Sequence, residues 1–151
     1  MTAQIENIAK GKFARYAMLP ETNDALLAVV LKSAGMESMA TLLDYADLAA
    51  LLAAANDEAD FAGYVRQTLT GVTVTVDNTN DRTDVDCADP SFSPTAAQAI
   101  GAIVFVYDPD TTTGTDTTVI PIFIDNAFAL TTPTSGAVSY TVATGGFGRA
   151  S

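Results

Sequence analysis

Apolar side chains are densest between Ile100 and Ile124. There the runs Ile100-Gly-Ala-Ile-Val-Phe-Val-Tyr107 and Val119-Ile-Pro-Ile-Phe-Ile124 flank a polar segment, Asp108-Pro-Asp-Thr-Thr-Thr-Gly-Thr-Asp-Thr-Thr118. Both runs have strand length, are rich in Ile, Val and aromatics, and are too short for a capped buried helix, so they predict two paired strands at the centre of a sheet. Ala25 to Lys32 predicts another buried strand on its Val-Val pair, although its Ala and Leu residues equally suit a short helix. Val72 to Val76 alternates strictly and, with Arg82 to Asp86 across the turn residues Asp77 to Asp81, predicts a hairpin with one solvated face. Ala137 to Val142 alternates in the same way and predicts a last strand.

Two stretches are less decided. Lys12 to Leu19, read as a strand ended by Pro20, sets Phe13, Arg15 and Ala17 on one side and Ala14, Tyr16 and Met18 on the other. Phe61 to Leu69 suits a helix through Phe61, Tyr64 and Val65 and a strand face through Phe61, Gly63 and Val65; we read it as strand.

The one strong helix signal is 44–56, built of the best helix formers with Tyr45, Leu48, Leu51 and Leu52 on one face. Asp44 suits its N-cap, Asp47 adds negative charge to the first turn, and Asn56 suits its stop. That stripe must be covered, either by a sheet or by another subunit. The pattern therefore predicts a mainly β (α+β) domain: one antiparallel β-sandwich or barrel-like body over 13–144 with a helix at 44–56. An N-terminal arm over 1–12 and a glycine-rich tail over 145–151 extend from it, the tail carrying Phe147 and Arg149 as its large side chains.

Composition narrows the chemistry. A chain of 151 residues fits one core and needs no metal or disulfide to hold it together. A single cysteine, Cys87, excludes an internal disulfide and multi-cysteine zinc sites, and reads as a small residue in a polar turn. Histidine is absent, which removes Ser-His-Asp and Cys-His catalysis and His-ligated metals. No stretch approaches the roughly twenty apolar residues that cross a bilayer, and no signal peptide is evident, so a soluble product made in the cytoplasm is expected.

The net charge of -11 argues against nucleic acid as a direct partner. The charge is unevenly placed: residues 1–20 hold Lys10, Lys12 and Arg15 against Glu6, while the remainder carries four basic and seventeen acidic side chains. A basic lead segment on an acidic body could dock on an acidic neighbour, including a second copy; an ordinary solvated strand would look the same.

Several segments resemble a family of small virion structural proteins of tailed bacteriophages. They are Ala9-Lys-Gly-Lys12, Leu27 to Lys32 with Gly35, Thr41 to Tyr45 with Leu48 to Ala53, and Phe61 to Leu69. They continue through Thr73 to Asp77 and on to Asp86, Tyr107 to Asp110, Gly114 to Asp116, Ile120-Pro121 and Gly146 to Ser151. The resemblance covers nearly the whole chain and carries no chemical motif. It implies a non-enzymatic capsid cement or decoration protein, often a trimer, that bridges major capsid protein subunits on the virion surface. It implies no cofactor; a neck, tail or baseplate component is the alternative placement.

On that reading the contacts are Lys10, Lys12 and Arg15, the stripe Tyr45, Leu48, Leu51 and Leu52, and Phe147 with Arg149, combined by multivalency. Two sharper readings compete. Asp108, Asp110, Thr112, Gly114 and Asp116 space oxygens as calcium loops do, but Gly114 falls one residue late and Val119 stands where a bidentate Glu is required. Asp77, Asp81, Asp84, Asp86 and Asp89 form a second acidic group that turn preference alone accounts for. A carboxylate-pair hydrolase or glycan binder has acids enough but no tryptophan to stack on a sugar, so no catalytic or metal residue is assigned.

Overall fold

The computed structural model describes residues 3–150; Met1 and Thr2 of the expected arm and Ser151 of the tail lie outside the described residues. The two densest apolar runs are the adjacent strands β7 (Ala99–Asp108) and β8 (Ile120–Asp125), paired antiparallel with Phe105 opposite Phe123. β2 (Ala25–Lys32) lies along the other side of β7 with Val29 opposite Val104. β1 (Ala3–Ile5) and β3 (Gln67–Thr68) close the two edges, giving the order β1-β8-β7-β2-β3. The sheet is antiparallel throughout and does not close into a barrel.

These strands lack polar alternation because both faces of the sheet are covered. Val29, Leu31, Ala102, Val104, Val106 and Ile124 face one cluster, and Leu26, Val30, Ile103, Phe105, Tyr107 and Phe123 face the other. One irregularity interrupts the alternation. Ile122 is an extra residue between the Phe105–Phe123 and Val106–Pro121 pairs, a bulge that sends Ile122 and Phe123 to the same cluster.

Two short helices, α2 (Met39–Leu42) and α3 (Leu48–Ala53), cover the first face through Leu42, Leu48 and Leu51, all fully buried. The helix expected over 44–56 is therefore shorter at both ends. Asp47, not Asp44, is its N-cap, in extended backbone and accepting from the Ala50 amide at 2.7 Å. The next amides donate outside the helix, Leu48 to the Val119 carbonyl and Ala49 to the Asp116 carbonyl, which pins the helix start beneath the 108–118 loop. Asn56, buried, donates to the Leu51 carbonyl and so satisfies a C-terminal acceptor from outside the helix.

The second face carries α1 (Phe13–Ala17) and a small sheet of β4 (Thr73–Asp77), β5 (Arg82–Asp86) and β11 (Gly148–Ala150), in the order β11-β5-β4. The predicted hairpin forms, its first strand one residue further on than expected and its second as expected. Lys12 to Leu19, expected as a strand, is helical: Phe13 and Ala17, one turn apart, are the buried pair, and its Ala, Arg and Met residues favour that conformation.

The tail is also corrected. Instead of leaving the body, it pairs with β5 and buries Phe147 among Phe105 and Phe123, at ring centroids of 5.0 and 5.4 Å. Two glycines permit this path. Gly146 has φ +90°, and a Cβ there would lie 2.0 Å from the Val85 carbonyl oxygen; a Cβ on Gly148 would lie 2.7 Å from the Phe13 ring.

The remaining strands are fragments. Of 61–69 only Gln67–Thr68 pairs, because Phe61 to Tyr64 turns. Of 137–142 only β10 (Val138–Ser139) pairs, with β6 (Ser91–Phe92). β9 (Leu130–Thr131) lies against the start of β7. Cys87, expected in a polar turn, is buried in the aromatic-rich core, which pushes its thiol up to about 12.

Candidate functional site

A concavity of about 670 Å³ opens between α1 and the end of β7. Lys12 and Arg15 rise from the helix start, and Tyr16 stacks on Tyr107 at 4.8 Å between ring centroids. Tyr107 is buried, and its hydroxyl donates to Asp24 at 2.9 Å. Burial, and then that hydrogen bond, push the hydroxyl well above the usual tyrosine range. Glu21 and Asp110 also line it. Asp110 accepts from the Thr112 and Thr113 hydroxyls and the Thr112 amide, which hold its carboxylate down at about 2.

The other expected contacts divide. Lys10 is exposed beside the cleft residues in sequence, with its ammonium donating to Asn7. Leu48 and Leu51 are buried within this chain and are core. Leu52 and Tyr45 are half-buried against the same cluster, and Tyr45 donates to Glu37 at 2.5 Å. Phe147 is core on the opposite face of the main sheet, and Arg149 pairs with Asp84 at 2.8 Å. The fold thus brings Lys12 and Arg15 together with Tyr16 and Tyr107, and places the leucine stripe and the tail elsewhere.

The acidic loops are occupied by their own structure. Asp108 accepts from the Asp110 amide, Asp116 pairs with Arg66 at 2.7 Å, and Asp77 accepts from the amides of Thr79 and Asn80. Among the described residues no group of three or more acids, cysteines or histidines is placed to hold a metal.

Two features escaped sequence reasoning. Arg66 forks between Glu58 and Asp116, joining the loop before β3 to the 108–118 loop, while Tyr64 donates to Glu58 at 2.7 Å. The guanidinium holds Asp116 below the ordinary carboxylate range. Glu6 is fully buried with neither carboxylate oxygen hydrogen-bonded. Desolvation first, and the charge of Asp44 second, push its carboxyl up to about 8 against the pull of Lys10. No local signal marks either feature, since each depends on neighbours distant in sequence.

The chain matches no protein-family model, no curated protein and no solved structure.

Proposed function

We propose that this protein is a non-enzymatic structural component of a tailed-phage virion, a cement or decoration protein that acts by adhering to the capsid. In that role it joins major capsid protein subunits from outside the shell and works as a homotrimer. The sequence resemblance supplies the lineage. One structural observation supports the adhesive role: exposed apolar side chains lie beside the unpaired cations of the lead segment. Among the described residues, the exposed large apolar side chains are Ile8, Met18, Leu19, Val65 and Val76, and the first three bracket Lys10, Lys12 and Arg15. Met18 is 64% exposed, and Leu19 sits at φ +51° ahead of Pro20, an uncommon conformation for a leucine that directs the chain off the end of α1. Apolar and cationic groups side by side, on a body otherwise acidic, suit a protein contact.

The test is to mix purified protein with expanded phage heads and measure saturable co-sedimentation, alongside the mass of the free protein. Trimer mass and saturable binding, with binding weakened by Met18→Asp, support the reading. A monomer that leaves heads bare, or binding indifferent to Met18→Asp, overturns it.

A further inference from the structure

The cations of this protein fall into two sets. Lys32 lies 2.9 Å from Asp60, Arg66 lies 2.6 Å from Glu58 and 2.7 Å from Asp116, and Arg149 lies 2.8 Å from Asp84. Arg82 is within ion-pair distance of Asp77 and Asp84, although its Nε makes no hydrogen bond there. Lys10, Lys12 and Arg15, within six consecutive residues, have no carboxylate at ion-pair distance among the described residues. This holds although the chain carries eighteen acidic side chains. The unpaired charge is thus local, and two of its three members line the cleft with Tyr16.

We propose that this cleft binds an acidic segment of a partner protein, with Lys12 and Arg15 taking its carboxylates and Tyr16 its aliphatic stems. The mixed lining selects the ligand class. A compact polyanion needs donors converging from every side, whereas Glu21 and Asp110 share this lining with the cations. A peptide brings carboxylates for the cations and backbone N–H donors for the acids. Nucleic acid is disfavoured because three cations offset few phosphates and the whole chain stands at -11. A second copy is disfavoured as the occupant of this cleft, because its loop carboxylates at Asp77, Asp108 and Asp116 already accept hydrogen bonds within their own chain. The inference rests on the adhesive role proposed above and names the chemistry of the surface that this protein touches.

The test is titration of the isotope-labelled full chain with a short synthetic peptide alternating Glu and Ser, followed by amide shifts. Parallel titrations use the Gln-for-Glu peptide, inorganic phosphate and a DNA duplex. The acidic peptide is expected to move residues 10–16, Glu21 and Tyr107 to Asp110, and salt is expected to weaken it. Lys12→Glu with Arg15→Glu should leave thermal unfolding unchanged and weaken binding by roughly two- to thirtyfold, the worth of two exposed ion pairs. Shifts elsewhere, equal shifts with the Gln peptide, tighter binding of phosphate or DNA, or self-association that buries residues 10–16 overturns the assignment. If the peptide fails while the intact protein still coats heads, the cleft assignment falls and the adhesive role stands; if heads are not coated either, both fall.

Discussion

Glu6 gives the most quantitative prediction. Its carboxyl follows β1, where the Glu6 amide donates to the Ile122 carbonyl and fastens the lead segment to β8. The side chain is fully buried and unpartnered, and its carboxyl is raised from 4.5 to about 8. The folded state therefore holds the proton more tightly than the unfolded state. Below 4.5 both states are protonated and Glu6 costs nothing through ionisation. Between those values stability falls as pH rises, by about 1.4 kcal/mol per pH unit. Above about 8 both states are ionised and the full cost, roughly 5 kcal/mol, is reached, with about 3 kcal/mol already present at neutral pH. That is a large share of the roughly 5–15 kcal/mol that stabilises a domain. Glu6→Gln removes the titration while retaining a buried polar group of the same shape. Urea unfolding followed by far-ultraviolet circular dichroism, from about pH 5 to about pH 9, should show the two proteins nearly equal in acid and diverging steadily with pH, the variant becoming the more stable. Other titrating groups are common to both proteins and cancel in the difference. Parallel stability curves across that range would refute the reasoning.

Leu51→Ala should cost about 2–5 kcal/mol, read as a lowered urea midpoint with the oligomeric mass unchanged, because Leu51 is spent inside the chain. Arg66→Met should cost about 1–3 kcal/mol at neutral pH, discounted because Glu58 and Asp116 keep 21% and 33% of their side-chain surface exposed. Asp116 is held below its ordinary 3.8, so its part of that difference should persist above this value and shrink as acid titrates the carboxylate, measured by the same unfolding assay in acid. Deleting residues 145–151 should unfold the domain by circular dichroism, since loss of the Phe147 side chain alone is worth about 3–5 kcal/mol. Chelator should leave the thermal midpoint unchanged, the loop carboxylates being occupied by Thr, Arg and backbone donors.

The centre of the fold was readable because it depends on short-range pattern. β2, β7 and β8 are continuous apolar runs, and a strand covered on both faces has no other appearance. The ends of the fold depend on long-range contacts. The composition of 44–56 supports a longer helix, but amides at the start of α3 are claimed by carbonyls of Asp116 and Val119, far along the chain. A five-residue helix such as α1 offers one i, i+4 pair, Phe13 and Ala17, and the same residues also alternate, so periodicity could not separate the two. The tail's glycines read as freedom, whereas Gly146 and Gly148 serve close approach to Val85 and Phe13.

The candidate site was readable in part for the same reason. The excess of cations near the N-terminus is a sum over neighbours in sequence, and it survives folding: Lys10, Lys12 and Arg15 remain exposed and unpaired by carboxylates among the described residues. What makes two of them a cleft is Tyr107, brought beneath Tyr16 by the pairing of β7 with β2 and ninety-one positions away in the chain. Whether a charge is already neutralised at home is likewise a property of the folded chain. Arg66 and Arg15 look alike in sequence, yet one is held between two carboxylates and the other faces solvent. An acidic protein that pairs its other cations internally, yet leaves these three outward beside exposed Ile8 and Met18, presents a surface suited to the carboxylates and apolar groups of another chain.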